Sequence, residues 1–195
     1  MKEIKLHLEY LIDLIGLNED DFSILKKYSI RTQMWADEFA VKFIGAISTY
    51  EPTKEIFYKE GVRLPDVGID VVKNWYLDVI SGNVDQDFWS RQYLIGLVHV
   101  KHGVKNSFRL GMMSVVQQLF LTACLDEFDK DEAIKLYLSF KKITDVISGI
   151  TAEGYFPSLL VAIQRTTGIK KQVMDKMVNL EIDNLISERR ELPQG

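Results

Sequence analysis

The sequence predicts an all-α protein on three observations. Apolar residues recur at helical spacing through most of the chain, and no segment has the alternating pattern of a strand. Four prolines and twelve glycines among 195 residues leave room for long helices. With 47% apolar and 27% charged residues the composition is that of a globular domain, and Cys124, as the single cysteine, excludes a disulfide within the chain.

The N-terminal part is predicted to contain three helical segments. Residues 3–15 place apolar side chains on one face, and Gly16 ends that helix. Residues 18–21, three of which are acidic, are expected to start a new helical segment, with a short apolar turn over residues 22–30. A longer helix is predicted over residues 34–49.

Residues 52–66 mix apolar residues with glycine and proline, and we expect a corner and a loop there. Four helices are predicted to follow, over about residues 71–80, 86–102, 105–125 and 130–154. Asp85 is the expected N-cap of the second of these helices, and Gly103 is its expected C-cap. The third is apolar nearly all round, so two of its faces are expected to be buried.

Residues 157–195 have a different pattern, and we predict one domain over residues 1–156 followed by a C-terminal helical extension or linker. Pro157 is expected to break the preceding helix, residues 158–165 form a short apolar piece, and residues 169–190 are amphipathic. The pattern leaves open whether this segment packs as a final helix, links to a partner or dimerises.

Charge and hydropathy exclude several classes of partner. The formal net charge is −4 and no basic tract is present, so nucleic acid is not an expected partner. No apolar run approaches the roughly 18 residues that cross a bilayer, and residues 1–5 alternate in charge instead of leading into a signal peptide. We therefore expect a cytoplasmic protein that does not enter a membrane.

Three histidines are the candidates for chemistry. His7 lies among polar residues and is expected to be exposed and without a role. His99 lies on the side of its helix that carries aromatic and aliphatic residues, where it is either a core residue or a ligand. His102 follows one turn later, but with Cys124 as the only thiol these residues do not complete the four ligands of a structural zinc site. No phosphate loop, nucleophile elbow or Cys–His dyad is present, so no enzyme activity is predicted.

Large aromatic residues come from several separate helices. Six of them stand out: Phe39, Phe43, Phe57, Trp75, Tyr76 and Phe108. Most are expected to form the core. Together with one histidine on an apolar face they also suit a flat aromatic cofactor, because haem iron needs an imidazole ligand and a dry pocket on both sides of the ring.

The stretch Asp85–Gly103, with Ile95-Gly96-Leu97-Val98-His99 inside it, resembles the signature of the globin-coupled sensors and protoglobins. The resemblance extends over about residues 20–156. It implies a globin-like fold with an extra N-terminal helix and a C-terminal helical appendage, which makes residues 1–156 a globin-like sensor domain. It also implies that His99 is the proximal ligand of the iron of haem b.

The resemblance also implies which other residues surround the haem. They are Phe43, Ile44, Ile47, Phe57, Val72, Trp75, Tyr76, Ile95, Gly96, Phe108 and Met112. Ile44 stands where many members have a distal tyrosine that donates to bound dioxygen, and Tyr76 is the candidate replacement. Without a donor the pocket is expected to favour carbon monoxide or nitric oxide. Gly96 either lets the porphyrin approach its helix closely or forms a helix–helix contact. Lys105 and Arg109 either reach a haem propionate or are exposed to solvent.

The function that the resemblance implies is the binding of a diatomic gas (O2, CO or NO) for signal transduction, with a downstream signalling partner. Related domains pair through their last two globin helices, and the apolar excess over residues 112–125 fits such a homodimer as well as it fits burial within a monomer. Ligation is not carried over to His102, whose position is apolar or variable in the family.

Two other classes of function stay open from the sequence. One is a haem-free globin-like interaction module, in which side chains fill the pocket. The other is a haem enzyme such as a peroxidase or a nitric oxide dioxygenase, against which the missing reductase domain and the missing distal His or Arg argue.

Overall fold

The computed structural model describes residues 2–59, 62–63 and 68–191, and it divides the chain into two compact units, residues 1–155 and 156–195. Helices dominate the described residues, which confirms the predicted all-α class. In chain order the elements are α1 (Lys2–Ile15), α2 (Glu19–Thr32), a 3-10 turn (Gln33–Trp35), α3 (Ala36–Thr49), α4 (Glu51–Phe57), β1 (Tyr58–Lys59), β2 (Val62–Arg63), α5 (Ile69–Ile80), α6 (Gln86–Lys101), α7 (Asn106–Glu127), α8 (Lys130–Glu153), α9 (Phe156–Thr167) and α10 (Lys171–Glu191).

Two segments differ from the prediction. α2 is a helix of 14 residues instead of a short turn, because Asn18 and Asp21 form a capping box that satisfies its first amide groups. Instead of a loop, residues 51–57 form α4, and β1 (residues 58–59) pairs with β2 (residues 62–63) in antiparallel orientation.

Proline begins two helices where a break or a corner is predicted. Pro52 is the second residue of α4, and Pro157 is the second residue of α9. In the first turn of a helix the missing N–H group of proline costs nothing, because that group has no partner within the helix. Residues 158–165 therefore belong to a helix of 12 residues.

The caps predicted around α6 are present. Asp85 Oδ1 accepts a hydrogen bond from the backbone N–H group of Phe88 at 2.7 Å. Gly103 follows the helix at a φ of +71°, a left-handed conformation that favours glycine. These two residues fix the length of the helix that carries His99.

The first unit is built around α8, which packs against α1, α2, α6 and α7. Aromatic rings from α3, α5, α7 and α8 meet in its core. Phe120 stacks on Phe140 with 3.7 Å between ring centroids, and Tyr76 stacks on Phe39 at 4.5 Å. This packing joins α3, α5 and α7 to the middle of α8.

The predicted extra N-terminal helix, α1, packs against the C-terminal half of α8. A Cβ atom at Gly149 would come within 2.6 Å of the side chain of Leu11, so a larger residue here would displace that side chain. Nearby, His7 Nδ1 lies 2.8 Å from Glu153 Oε2. His7 therefore connects α1 to the end of α8, a contact that the sequence did not predict.

Two described stretches, Asn106–Glu127 and Lys130–Thr167, are long and apolar enough to cross a bilayer, which corrects the expectation that no run would qualify. The core helices of soluble proteins meet the same criterion. α7 and α8 pack against each other, and Gln117 of α7 donates hydrogen bonds to Thr144 and Asp145 of α8.

The second unit consists of α9 and α10, which are joined through Gly168 at a φ of +73°. Apolar side chains are exposed on both helices, among them Leu159 and Ile163 on α9 and Leu180 and Leu185 on α10.

Candidate functional site

A cavity of about 500 Å³ lies within the first unit, and its walls come from α3 to α8. Most of the side chains that line it are aliphatic or aromatic. Its volume and its apolar walls are those of a pocket for a small organic molecule or a cofactor.

The structure brings nine of the twelve predicted site residues to the wall of this cavity. They are Phe43, Ile47, Phe57, Val72, Trp75, Ile95, His99, Phe108 and Met112. These residues come from five helices, and 69 positions separate the first from the last (112 minus 43). The tertiary fold is therefore what brings them together.

Ile44 and Gly96 do not line the cavity, contrary to prediction. Ile44 is half-buried elsewhere on α3. At Gly96 a Cβ atom would lie 2.3 Å from the backbone oxygen of Thr151 and 3.4 Å from Cα of Gly154. Of the two interpretations of Gly96, the helix–helix contact is therefore correct, and this glycine sets the position of α6 on α8.

Tyr76 is also outside the cavity, so it does not replace a distal tyrosine. Its side chain is fully buried in the aromatic core, and its hydroxyl donates to the backbone oxygen of Thr32 at 2.9 Å. Burial raises the pKa of this phenol, with a smaller contribution from Cys124. Tyr76 is a neutral core residue with a satisfied hydroxyl group.

Two polar residues at the cavity were missing from the prediction. Gln92 is 2% exposed, and its Oε1 accepts a hydrogen bond from Trp75 Nε1 at 3.0 Å, which links α6 to α5. Thr53 of α4 donates its hydroxyl to the backbone oxygen of Ile47 at 2.7 Å. Gln92 could have been found from its spacing, because it stands two turns before His99 on the same face of α6.

His99 of α6 is the central polar group of the cavity. Burial, and to a lesser extent the charges of Arg109 and His102, lowers its pKa from 6.5 to about 4. The imidazole is therefore neutral at pH 7, which is the form that coordinates a metal. Its Nδ1 atom is buried and has no hydrogen-bond partner among the described residues.

The two basic residues that follow α6 have different environments. Lys105 is exposed, with its ammonium group 5.7 Å from the centre of the Phe108 ring. Arg109 lines the cavity and is 7% exposed. Its Nε donates to Asn106 Oδ1 at 2.8 Å, while its Nη1 is buried and has no hydrogen-bond partner among the described residues.

In the described part of the chain, no three His, Cys, Asp or Glu side chains are grouped so that they could hold a metal ion. A metal bound through His99 would need most of its ligands from elsewhere, as haem iron has from the four porphyrin nitrogens. An apolar cavity, a neutral imidazole in its wall and aromatic rings around it fit that kind of group.

The protoglobin family model matches residues 5–160, which is most of the chain. The chain belongs to the protoglobin family. The resemblance inferred from the signature around His99 is thereby confirmed, and the family match begins earlier than the predicted residue 20.

Among solved structures, this protoglobin chain is similar to the globin domain of a globin-coupled sensor from Geobacter sulfurreducens. The TM-score is 0.65 at 23% sequence identity, over 80% of this chain and 97% of that one. This similarity confirms the predicted globin-like fold. No curated protein sequence is similar enough to count as a match.

Proposed function

We propose that this protoglobin binds haem b through His99 and that the opposite face of the haem receives a diatomic gas. The observation that carries the proposal is a half-buried, neutral imidazole in the wall of an apolar cavity of about 500 Å³. When bound, haem iron would supply the site at which O2, CO or NO coordinates.

The residues of the chain have three roles in this proposal. Apolar side chains such as Ile47, Val72 and Met112 exclude water from the pocket. Rings such as Phe43 and Phe57 offer flat surfaces to a macrocycle. His99 holds the iron, and the contact of Gly96 with α8 fixes the position of the helix that carries it.

The choice of gas depends on hydrogen-bond donors in the pocket. Two neutral donors that line it already have acceptors, since Trp75 Nε1 binds Gln92 and the Thr53 hydroxyl binds Ile47. With Ile44 and Tyr76 outside the cavity, no tyrosine side chain takes the place of the missing distal donor in the described wall. This supports preference for carbon monoxide or nitric oxide over dioxygen, whose bound form gains most from a donor.

Gas sensing in signal transduction is the role that we propose, in the cytoplasm and with a downstream signalling partner. We propose a homodimer through α7 and α8. In support of it, both helices expose large apolar side chains, Leu110 and Leu125 on α7 and Ile134 and Leu138 on α8. Such a surface has the composition that protein interfaces use.

The absorption spectrum of the purified protein tests the proposal. Protein made with haem supply should show a Soret band that shifts with dithionite and again with carbon monoxide, and His99→Ala should lose most of the bound haem. His7→Ala is the matched control, because it removes an imidazole that does not line the cavity and should leave the spectrum unchanged.

Two outcomes contradict the proposal. Loss of haem from His102→Ala but not from His99→Ala would place the ligand one turn further along the chain. A colourless protein that does not respond to added haemin would favour the haem-free interaction module.

A further inference from the structure

The helix α9, in the second unit, has an apolar face that is exposed in the structure. Ile163 lies one turn after Leu159 and Leu160, so the three side chains share one side of the helix. Leu159 is 50% exposed and Ile163 is 39% exposed, so large hydrocarbon groups of this face meet solvent. Their burial against a partner would be favourable, and an exposed apolar face of this kind indicates a binding surface.

The segment that contains α9 is positively charged, whereas the rest of the chain is acidic. Residues 154–174 contain three cations and no aspartate or glutamate. The cations are Arg165, Lys170 and Lys171, and all three are exposed. The net charge of the whole chain is −4, so the net charge of all other residues is −7 (−4 minus +3). The attraction of a negatively charged partner is therefore concentrated at this segment.

The length and the composition of the segment indicate what kind of partner fits. With 12 residues at 1.5 Å per residue, α9 is about 18 Å long, which is too short to cross the roughly 30 Å hydrocarbon core of a bilayer. An apolar face next to lysine and arginine is typical of helices that lie along the surface of an anionic bilayer. An acidic protein fits the segment less well, because lysine is depleted at protein–protein interfaces.

We propose that α9 lies in the surface of a bilayer that contains anionic lipids and thereby holds the protein at the membrane. Its apolar face enters the boundary between headgroups and acyl chains, while the long cationic side chains of residues 165–171 extend to the lipid phosphates. The proposal revises the sequence-based expectation that the protein does not enter a membrane, since one face of α9 enters the headgroup layer. It does not depend on whether the cavity holds haem.

Cosedimentation of the full-length protein with lipid vesicles tests the role of charge. Vesicles of phosphatidylcholine with about one third phosphatidylglycerol should bind the protein at least about tenfold more tightly than vesicles of phosphatidylcholine alone. High salt should weaken this binding, because it screens the attraction. The charge variant Arg165→Gln/Lys170→Gln/Lys171→Gln should bind the anionic vesicles at least about tenfold more weakly than the wild type.

The matched control for the charge variant removes the same number of cations from the first unit. Lys26→Gln/Lys130→Gln/Lys135→Gln replaces three exposed lysines and should bind the anionic vesicles as the wild type does. An equal loss of binding in this control would overturn the proposal, because net charge alone would then determine binding.

A second variant tests the apolar face with every charge kept. Leu159→Gln/Ile163→Gln should also bind the anionic vesicles at least about tenfold more weakly, because less hydrocarbon is buried. Its matched control is Leu14→Gln/Ile30→Gln, which replaces two exposed apolar residues of the first unit and should not change binding. All four positions are exposed, so these variants should fold as the wild type does, which circular dichroism checks.

Three outcomes would overturn the proposal. They are equal binding of the wild type to both kinds of vesicle, no binding to either kind, and wild-type binding by either α9 variant. If no vesicle binds and Leu159→Gln/Ile163→Gln lowers the molecular mass of the protein in solution, a second copy of the chain covers this face instead. The haem spectrum is a separate test, because vesicle binding is measured without reference to the occupant of the cavity.

Discussion

The helices α3, α5 and α7 each contribute to two regions of opposite character. The first, which we call the closed region, is the part of the core where these helices pack against α8. Its residues are Phe39, Tyr76, Phe120 and Phe140. The second, which we call the open region, is the wall of the cavity, to which α6 also contributes. Its residues include Phe43, Trp75, Met112, Phe108 and His99. Both regions consist mainly of aromatic and aliphatic residues, so amino-acid composition does not determine which of them contains the cavity.

The two regions differ in how closely their side chains pack and in whether their polar atoms have hydrogen-bond partners. The rings of Phe120 and Phe140 lie nearly parallel, at 9°, and the hydroxyl of Tyr76 has its acceptor. In the open region, His99 Nδ1 and Arg109 Nη1 have no hydrogen-bond partner among the described residues. Cavity volume and polar atoms without a partner occur together in the open region, which supports the proposal that this region binds a ligand, whereas the closed region holds the helices together.

Truncation of one ring in each region gives the largest expected contrast. Phe120→Ala should lower the free energy of unfolding by about 3 to 5 kcal/mol, because it leaves a new cavity in a close-packed stack. Phe108→Ala should cost only about 1 kcal/mol, because this half-buried ring already borders empty volume. Urea unfolding of the haem-free protein measures both losses. Equal losses would mean that the two regions are packed alike.

Acidification should produce the next largest effect, through His99. Its pKa is lowered from 6.5 in the unfolded chain to about 4 in the folded protein, chiefly by burial. Between these values the unfolded chain binds a proton that the folded chain does not bind, so stability is complete above pH 6.5 and falls as the pH approaches 4. At about 1.4 kcal/mol per pKa unit, the haem-free protein should lose roughly 2 to 3 kcal/mol from this group.

The measurement is the free energy of unfolding at pH values from about 7 to 4 for the wild type and for His99→Gln. The difference between the two should follow the titration of His99. His7→Gln is the matched control, because it removes a half-exposed imidazole and leaves His99 in place. A pH profile that is the same for the wild type and His99→Gln would mean that the imidazole is hydrated and the open region is not dry.

The spacing of apolar residues was sufficient for the helical class, and the resemblance to the protoglobins indicated most of the cavity wall. Spacing along a helix accounts for part of that wall, because it determines which residues share a face. Phe43 and Ile47 are one turn apart, as are Ile95 and His99, and all four line the cavity. The same geometry explains two of the errors. Ile44 and Tyr76 directly follow Phe43 and Trp75, and consecutive helical residues point about 100° apart, so a shift of one residue is enough to turn a side chain away from the cavity.

Other features depend on contacts between distant segments and could not be predicted. The role of Gly96 follows from the backbone oxygen of Thr151, 55 residues later in the chain (151 minus 96). The contact of His7 Nδ1 with Glu153 Oε2 joins residues that are even further apart. Helix spacing places a side chain on a face, but only the packed fold shows which partner that face meets.

The smallest expected effect compares two adjacent residues of α3, one in the open region and one outside it. Phe43→Tyr adds a hydroxyl to a ring that lines the cavity, whereas Ile44→Tyr adds one on a different side of the helix. A new hydrogen bond to bound dioxygen is worth about 1 to 3 kcal/mol, so Phe43→Tyr should slow dioxygen release from the haem-loaded protein by at least about fivefold. Ile44→Tyr should leave the release rate within about twofold of wild type.

Stopped-flow measurement of dioxygen release checks both variants, and carbon monoxide release, which depends less on a donor, serves as the internal control. Slower dioxygen release from Ile44→Tyr alone would show that α3 turns a different face to the haem, and the boundary between the closed and open regions would then have to be redrawn along this helix.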